Sequence, residues 1–232
     1  MLKSKKMKMS NFIKCLILAI LAGNVSIAQG GKNNQSININ RWGIDSFDSR
    51  SSNVEGSVYI NEEFSPAKIS DTDKIYSIKY NAYHDEMIIE KGGTLFTLQK
   101  TLGFKVDFTQ LKKTYKIYNL ENKGKINPRF FCVLVEGNKI ALLAKEKIRL
   151  YDERKSNSGY SKHVPPTLKR INDKYYIGFS NSSTAELPIK KKEFLKLFSS
   201  KSNEINAYIK QNKLGIKKQN DLITIFKYYN KL

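Results

Sequence analysis

The chain has 232 residues, of which 41 are Lys or Arg and 21 are Asp or Glu, so its formal net charge is +20. Its hydrophobic content of 40% and aromatic content of 11% exclude a disordered chain, and its length suits one domain with or without an appendage. The presence of only two Cys and two His excludes a disulfide-dense scaffold, a zinc finger and a His-rich metal centre.

Residues 1–28 have the three parts of a secretory signal peptide. Five lysines precede a short apolar run, and Ser26-Ile27-Ala28 supplies the small residues of a cleavage site, which predicts cleavage before Gln29. The apolar run is too short to span a bilayer, and no later stretch is long enough, so we expect no transmembrane segment in the mature chain. Cleavage leaves 204 residues with a net charge of +15.

Residues 29–55 read as a polar leader, because Gln, Asn, Gly and Ser dominate its first part. Residues 56–188 then predict an antiparallel β domain, in which Phe104, Val106 and Phe108 give the clearest two-residue alternation. No helix-sized segments separate the strands, which argues against Rossmann and TIM-barrel folds. We therefore predict about eight to ten strands, arranged as a sandwich or a partly open barrel.

The strands follow one another in predicted hairpins. Gly92-Gly93 marks one turn and Asn122-Lys123-Gly124-Lys125 marks another. A final hairpin is expected around Asn172-Asp173. The predicted strands cover residues 58–60, 75–83, 86–90, 95–100, 104–108, 115–120, 129–135, 140–151, 168–171 and 175–179.

Residues 189–232 predict a short helical segment, because the apolar period changes to 3.6 after Pro188. We expect two or three short amphipathic helices packed on the β domain, which makes the fold class α+β and mainly antiparallel β. Ser202 is a candidate N-cap for one helix, and Gly215 is a candidate C′ residue after it.

The positive charge is concentrated toward the C-terminus. Residues 190–232 contain 11 Lys and 3 acidic residues, which is just over half of the excess in the mature chain. The cations are mainly Lys, 35 against 6 Arg, whereas specific phosphate contacts favour Arg. We therefore expect no specific nucleic-acid binding, and the charge favours at most an anionic envelope surface or glycan as a partner.

No combination of residues predicts a catalytic, cofactor-binding or metal site, so none is assigned. His84 lies in an expected turn, His163 lies in a charged loop, and Cys132 lies in an apolar run typical of a buried small hydrophobe. Paired carboxylates occur only in predicted loops and turns. They are Glu62-Glu63, Asp71 with Asp73, Asp85-Glu86 and Asp152-Glu153.

Several short blocks of the sequence carry a resemblance to other proteins. The blocks are Gly56-Ser57-Val58-Tyr59-Ile60, residues 78–87, Leu134-Val135-Glu136-Gly137 and the ending Tyr228-Tyr229-Asn230. In these blocks the chain resembles exported hypothetical proteins of Bacteroidota. The resemblance covers roughly residues 56–232. It implies a periplasmic or secreted location and carries over no activity and no site residue.

The sequence thus favours an exported, non-enzymatic binding or accessory protein of the cell envelope. Two alternatives stay open. A hydrolase acting on envelope polymers would need two of the loop carboxylates to converge. A weak polyanion-binding surface protein would gather its lysines on one face, and salt would weaken its binding.

Overall fold

The computed structural model describes residues 39–41, 54–70, 72–155 and 163–232. The predicted signal peptide and most of the predicted leader lie outside these residues. Within them the chain forms eleven strands followed by three α-helices. The strands are β1 (Ile39–Arg41), β2 (Ser65–Ile69), β3 (Ile75–Asn81), β4 (Glu86–Lys91), β5 (Thr94–Leu98), β6 (Lys105–Phe108), β7 (Lys113–Asn122), β8 (Lys125–Val135), β9 (Ala141–Tyr151), β10 (Thr167–Gly178) and β11 (Thr184–Glu186). The helices are α1 (Lys191–Lys196), α2 (Ser202–Gln211) and α3 (Gln219–Lys231), with a 3₁₀ turn at Ser199–Lys201.

All eleven strands belong to one antiparallel sheet, in the order β1-β5-β4-β3-β2-β6-β7-β8-β9-β10-β11. The strands from β2 to β5 form one meander and those from β6 to β11 form a second. The two meanders meet where β2 pairs with β6. The mainly antiparallel α+β class predicted from the sequence is therefore confirmed.

The short segment 54–60 ties together two strands that lie far apart in the sheet order. The Glu55 N–H donates to Pro166 O, just before β10, at 2.9 Å. The Glu55 carbonyl accepts from Leu168 N–H, within β10, at 2.7 Å. Three residues further on, Val58 accepts from Ala82 N–H at 2.9 Å, and Ile60 donates to Tyr80 O of β3 at 3.1 Å. Because one segment bonds to both strands, it holds β3 and β10 close together although the sheet itself is open, with β1 and β11 at its two edges.

Three apolar cores follow from the side-chain alternation of the strands. The first lies inside the curved sheet and includes Ile78, Met87, Val106 and Phe130. A second lies between the sheet and the helices, and a third lies on the opposite face of β8 and β9. Phe130 and Phe131 face opposite sides of β8 as expected, but both are buried, because each face of this strand is covered.

The three helices bury one apolar stripe each against β8–β10. Phe194, Phe198 and Phe226 pack edge to face around a common centre, with ring centroids 5.2–6.4 Å apart. Asn230 Nδ2 of α3 donates to Ile140 O at 3.1 Å, which fixes the last helix to the start of β9. Across the residues that the structure describes, no helix is long and apolar enough to cross a membrane.

Several local predictions are wrong. Asn172-Asp173 makes no hairpin turn, because β10 runs straight through it and absorbs the extra residues as a bulge between Ile171 and Lys174. Ser202 is the first residue of α2 and makes no side-chain cap. The left-handed residue after α2 is Lys213 (φ 51°), whereas Gly215 N–H bonds to Asp221 Oδ2.

Residues 58–60 also differ from the prediction, because they form an isolated bridge to β3 and no strand. The structure adds three strands that the sequence pattern does not indicate, β1, β2 and β11. Two of them are only three residues long, and β2 contains Pro66, which the pattern of ordinary strands disfavours.

Gly56 provides a test of the segment that joins β3 and β10. Its φ is +88°, and a Cβ at this position would lie 2.2 Å from Leu168 O. We expect Gly56→Ala to lower the free energy of unfolding by about 3 kcal/mol or more, because left-handed strain adds to a backbone clash. The matched control is Gly103→Ala, with φ +85° and open space around the Cβ, which should cost about 1–2 kcal/mol. Equal losses in urea unfolding would contradict the proposed role of the segment.

Candidate functional site

The β7–β8 hairpin carries the most distinctive surface among the described residues. Its tip is a two-residue turn, Lys123-Gly124, in which both residues have positive φ, 51° and 74°. The register places Tyr118 opposite Arg129, Leu120 opposite Asn127 and Asn122 opposite Lys125. Because alternate residues of a strand share a face, these side chains form one continuous surface along the hairpin.

A groove of about 310 Å³ lies along this surface. Its lining combines three cationic side chains, two amides and one apolar side chain, and it contains no acidic residue. The lining residues are Leu120, Asn122, Lys123, Lys125, Asn127 and Arg129. Guanidinium and ammonium groups donate hydrogen bonds only, whereas amides both donate and accept. Such a lining suits an anionic ligand that also carries hydroxyl groups.

The inner end of the hairpin lies where β8 and β9 separate. The ladder between these strands runs from Val135 only as far as the Cys132–Ala144 pair. Continuing the register would place Phe130 opposite Glu146, but no backbone pairing is made there. Instead the turn between β3 and β4 enters the gap, and Ile148 N–H of β9 donates to Ala82 O of that turn at 3.4 Å.

Two charged side chains satisfy the backbone that β9 leaves unpaired. Asp85 Oδ1 accepts a hydrogen bond from Phe130 N–H at 3.3 Å, and Lys145 Nζ donates to Phe130 O at 2.7 Å. Lys145 also forms a short contact with Asp85 Oδ1. The pair therefore replaces a backbone ladder with side-chain hydrogen bonds. Asp85 reaches this position from a left-handed conformation (φ 62°), which Asp tolerates better than most residues.

Three further groups surround the Asp85 carboxylate. Tyr80 Oη donates to Oδ1 at 2.7 Å, whereas Lys100 Nζ and Arg129 Nη1 approach Oδ2 at 3.3 and 3.7 Å. The cluster thus sets one carboxylate against three cations. Arg129 belongs to both features, since it lines the groove and faces Asp85.

The surroundings change the acid–base properties of two of these groups. Burial, and then the neighbouring Asp85 carboxylate, raise the pKa of Tyr80 well above its ordinary value. Burial lowers the pKa of Lys145, against the opposing effect of Asp85, and the nearby Lys100 and Arg129 lower it further. The tyrosine is therefore held protonated, and the site carries an excess of positive charge.

A second buried carboxylate, Glu146, lies on the inward face of β9 and is 4% exposed. Lys113 Nζ and Arg170 Nη2 each bind its Oε1 at 2.9 Å, and Tyr115 Oη makes a short hydrogen bond to Oε2. The Tyr115 ring lies 4.9 Å from the Tyr80 ring. The tyrosine partners of the two buried carboxylates are therefore in ring contact within the first core.

Most of the residues considered as catalytic candidates are exposed and dispersed. Glu62, Glu63, Asp73, Asp152 and Glu153 are solvent-exposed, and Asp71 lies outside the described residues. Only Asp85 is buried, and Glu86 begins β4 opposite Asn81. His84 lies in the predicted turn, packed edge to face on Tyr83, and His163 bonds to Glu153 at 2.7 Å.

Cys132 is buried in the first core, as the apolar run predicts. Burial, and then the Glu146 carboxylate, raise the pKa of its thiol to about 12, so the reactive thiolate form is strongly disfavoured. In the described parts of the chain, no group of three or more His, Cys, Asp or Glu side chains is placed to hold a metal ion.

Apart from Asp85, which belongs to one of the paired carboxylates, no residue of the groove or of the two ion clusters was predicted from the sequence to be a site residue. One signal for Glu146 was present: it occupies an inward position of β9 between Ala144 and Ile148, where the alternation calls for an apolar residue. Lys100 and Arg129 carried no such signal, because a basic residue at a strand end is ordinary.

No protein-family model, curated protein or solved structure matches the chain. The function is therefore argued from the geometry of the described residues.

Lys145 tests the interaction that fills the gap between β8 and β9. We expect Lys145→Met to lower the free energy of unfolding by about 3 kcal/mol, because it leaves Phe130 O without a donor and removes the closest cation from Asp85. Adding Asp85→Asn should cost less than the sum of the single changes. The control is Lys174→Ala, which breaks an exposed 3.4 Å ion pair with Glu186 and should cost less than about 1 kcal/mol. Additive losses in denaturant unfolding would contradict direct coupling.

The two phenols that bond to buried carboxylates, those of Tyr80 and Tyr115, predict a loss of stability at high pH. The pKa of Tyr115, like that of Tyr80, is raised by burial and by its carboxylate partner. Unfolding lets both release a proton near pH 10, so the free energy of unfolding falls as pH rises above about 10. The lowered pKa of Lys145 acts oppositely, but only up to the ordinary lysine pKa of about 10.4.

This pH dependence is measured by tyrosinate absorbance and circular dichroism during an alkaline titration. Tyr80 and Tyr115 should ionise only together with unfolding, and Tyr80→Phe with Tyr115→Phe should lower by two the number of tyrosines that ionise in that late step. Tyr151→Phe, which removes an exposed phenol, should leave it unchanged. Ionisation of every tyrosine before any loss of structure would be the contrary result.

Proposed function

We propose that the protein is an exported, non-enzymatic binding protein of the cell envelope, and that it binds an anionic ligand in the groove of the β7–β8 hairpin. The observation that carries the proposal is the composition of the groove, which has three cations, two amides and no acid. The signal-like residues 1–28 and the predominance of Lys over Arg support an envelope glycan over a nucleic acid.

Binding is better supported than hydrolysis by the state of the buried carboxylates. Asp85 contacts Lys145, Lys100 and Arg129, and Glu146 contacts Lys113 and Arg170. A glycosidase of the usual kind keeps one carboxyl group protonated as the general acid. Both buried carboxylates are instead bonded to cationic side chains of the chain itself, an arrangement suited to holding the fold together.

The helical lysines support a less specific alternative, a weak polyanion-binding surface. Lys190, Lys191 and Lys192 at the start of α1 and Lys217 and Lys218 before α3 are all exposed. They lie before or at the first turns of amphipathic helices, where exposed charges ordinarily serve to solvate the protein. The groove differs from them, because it combines its cations with hydrogen-bonding amides.

The groove is tested by binding of a short oligogalacturonate, measured by titration calorimetry at several salt concentrations. Lys123→Ala with Lys125→Ala should weaken binding about threefold to tenfold, since each exposed charge pair contributes about 0.2–1 kcal/mol. The matched control, Lys191→Ala with Lys192→Ala, removes the same charge from α1 and should change affinity less than about twofold. Wild-type affinity should fall with salt, because these charges are solvent-exposed.

The two variants separate the possible outcomes. A larger loss in the α1 variant would favour the polyanion surface over the groove. A wild-type protein that fails to bind the acidic oligosaccharide, or binds a neutral malto-oligosaccharide equally well, would overturn the proposed function.

Export is tested separately by N-terminal sequencing of the protein recovered from the periplasm or medium of a bacterial host. We expect the mature chain to begin at Gln29, because Ser26 and Ala28 provide the small residues at positions −3 and −1. Substituting Ala28→Arg should block cleavage. Retention of uncleaved wild-type protein in the cytoplasm would contradict export.

A further inference from the structure

One oxygen of the buried Asp85 carboxylate has an unfilled hydrogen-bonding capacity. Asp85 is 7% exposed, and its Oδ1 receives bonds from Tyr80, Lys145 and Phe130. Its Oδ2 is buried and accepts no hydrogen bond from any described residue. Lys100 lies within ion-pair distance of Oδ2, at 3.3 Å, but not in hydrogen-bonding geometry. A buried carboxylate oxygen normally has a donor, so this one lacks a partner that a group from outside the chain could supply.

Two cations beside that oxygen have unused donors. The side chains of Lys100 and Arg129 are 22% and 40% exposed, so both are reachable from solvent. The Arg129 guanidinium makes no hydrogen bond to any described residue, and its five N–H donors match the oxygens of a carboxylate or phosphate. With Lys145, three cations face one carboxylate, and this excess of positive charge is lowest in energy with a further anion nearby.

Arg129 connects this cluster to the hairpin groove, because the same side chain lines the groove and faces Asp85. A ligand lying in the groove therefore contacts Arg129, and Arg129 in turn lies beside the Asp85 carboxylate and Lys100, neither of which lines the groove. An acid group alone would satisfy the cations and leave Oδ2 without a donor. A hydroxyl group alone would do the opposite.

We propose that Lys100, Arg129 and Asp85 form a subsite for an acidic sugar, in which the two cations bind the acid group and Asp85 Oδ2 accepts a hydrogen bond from a hydroxyl of the same ring. This subsite deepens the proposed function and rests on it, since the remainder of the glycan would occupy the groove. It narrows the ligand from an anion in general to a saccharide that carries carboxylate and hydroxyl groups together.

The test compares three small probes on the wild-type protein by NMR titration or calorimetry. Glucuronate carries both groups, glucose carries hydroxyls without the acid, and cyclohexanecarboxylate carries the acid on a six-membered ring without hydroxyls. We expect glucuronate to bind about tenfold or more tighter than either of the others, since each of them leaves part of the subsite unpaired. Equal affinity for glucuronate and cyclohexanecarboxylate would overturn the role of Asp85.

Variants of Arg129 and Lys100 then test how much each cation contributes to binding. Arg129→Ala should weaken glucuronate binding about tenfold to a hundredfold and abolish its preference over glucose, whereas Arg129→Lys should restore part of both. Lys100→Ala should have a smaller effect of the same kind. Lys191→Ala is the control, and thermal unfolding verifies that each variant is folded.

Failure of the subsite and failure of the proposed function give different results. If oligogalacturonate still binds in the groove, and Lys123→Ala with Lys125→Ala still weakens it, but Arg129→Ala and Lys100→Ala bind glucuronate like the wild type, then the subsite is wrong and the groove stands. If the protein binds neither probe, both proposals are wrong.

Discussion

The fold depends on the way in which Asp85 and Lys145 fill the gap between β8 and β9. Without them, Phe130 would present an unpaired N–H and an unpaired C=O inside the protein, each costing about 1–3 kcal/mol. The carboxylate accepts from the first group and the ammonium donates to the second. Because Asp85 belongs to the turn between β3 and β4, the same contacts draw the first meander against the second. The junction therefore acts together with segment 54–60, which also holds strands of the two meanders close to each other.

The same junction exposes the outer part of the hairpin. Once β9 leaves the ladder at the Cys132–Ala144 pair, the first residues of β8 pair only with β7. Leu120 then shares a face with Asn127 and Arg129, and these side chains are half-buried or exposed, whereas Tyr118 on the same face is buried. A closed ladder would have continued the backbone pairing of β8 with β9 and left no place for the turn carrying Asp85. The groove is thus a direct consequence of how the two meanders are joined.

Local patterns in the sequence were sufficient for most strands. The alternation of Phe104, Val106 and Phe108 and the glycine turns identified their hairpins, because these signals depend on near neighbours. The pattern around Asn172-Asp173 was misleading, since a bulge and a hairpin turn use the same residue types. Strand β2 was missed because it has only five residues and one of them is Pro66, which strand patterns disfavour.

The junction and the candidate site could not be predicted in the same way. Asp85 and Lys145 are sixty residues apart, and neither is unusual in its own segment. Asp in a turn and Lys on a strand are both ordinary. The fold brings the two residues together, and only then is the carboxylate buried and bonded to the backbone of Phe130 beside Lys145. Glu146 occupies a position where the strand alternation calls for an apolar residue, and this was a local sign of a buried polar network. It gave no indication of the partners Lys113 and Arg170.

The basic residues of the hairpin require more than one physical explanation. A strand with an unpaired edge invites pairing with another chain, and proteins counter this with lysine and proline. Lys125 and Pro128 on β8 serve that purpose, because Pro lacks the N–H and a charge resists burial. Edge protection, however, does not account for Arg129. Its side chain is half-buried and directed toward a buried carboxylate that already has a closer cation. A second and third cation add repulsion to a site whose own charge is already balanced, which points to an anion supplied from outside the chain as the reason for placing them there.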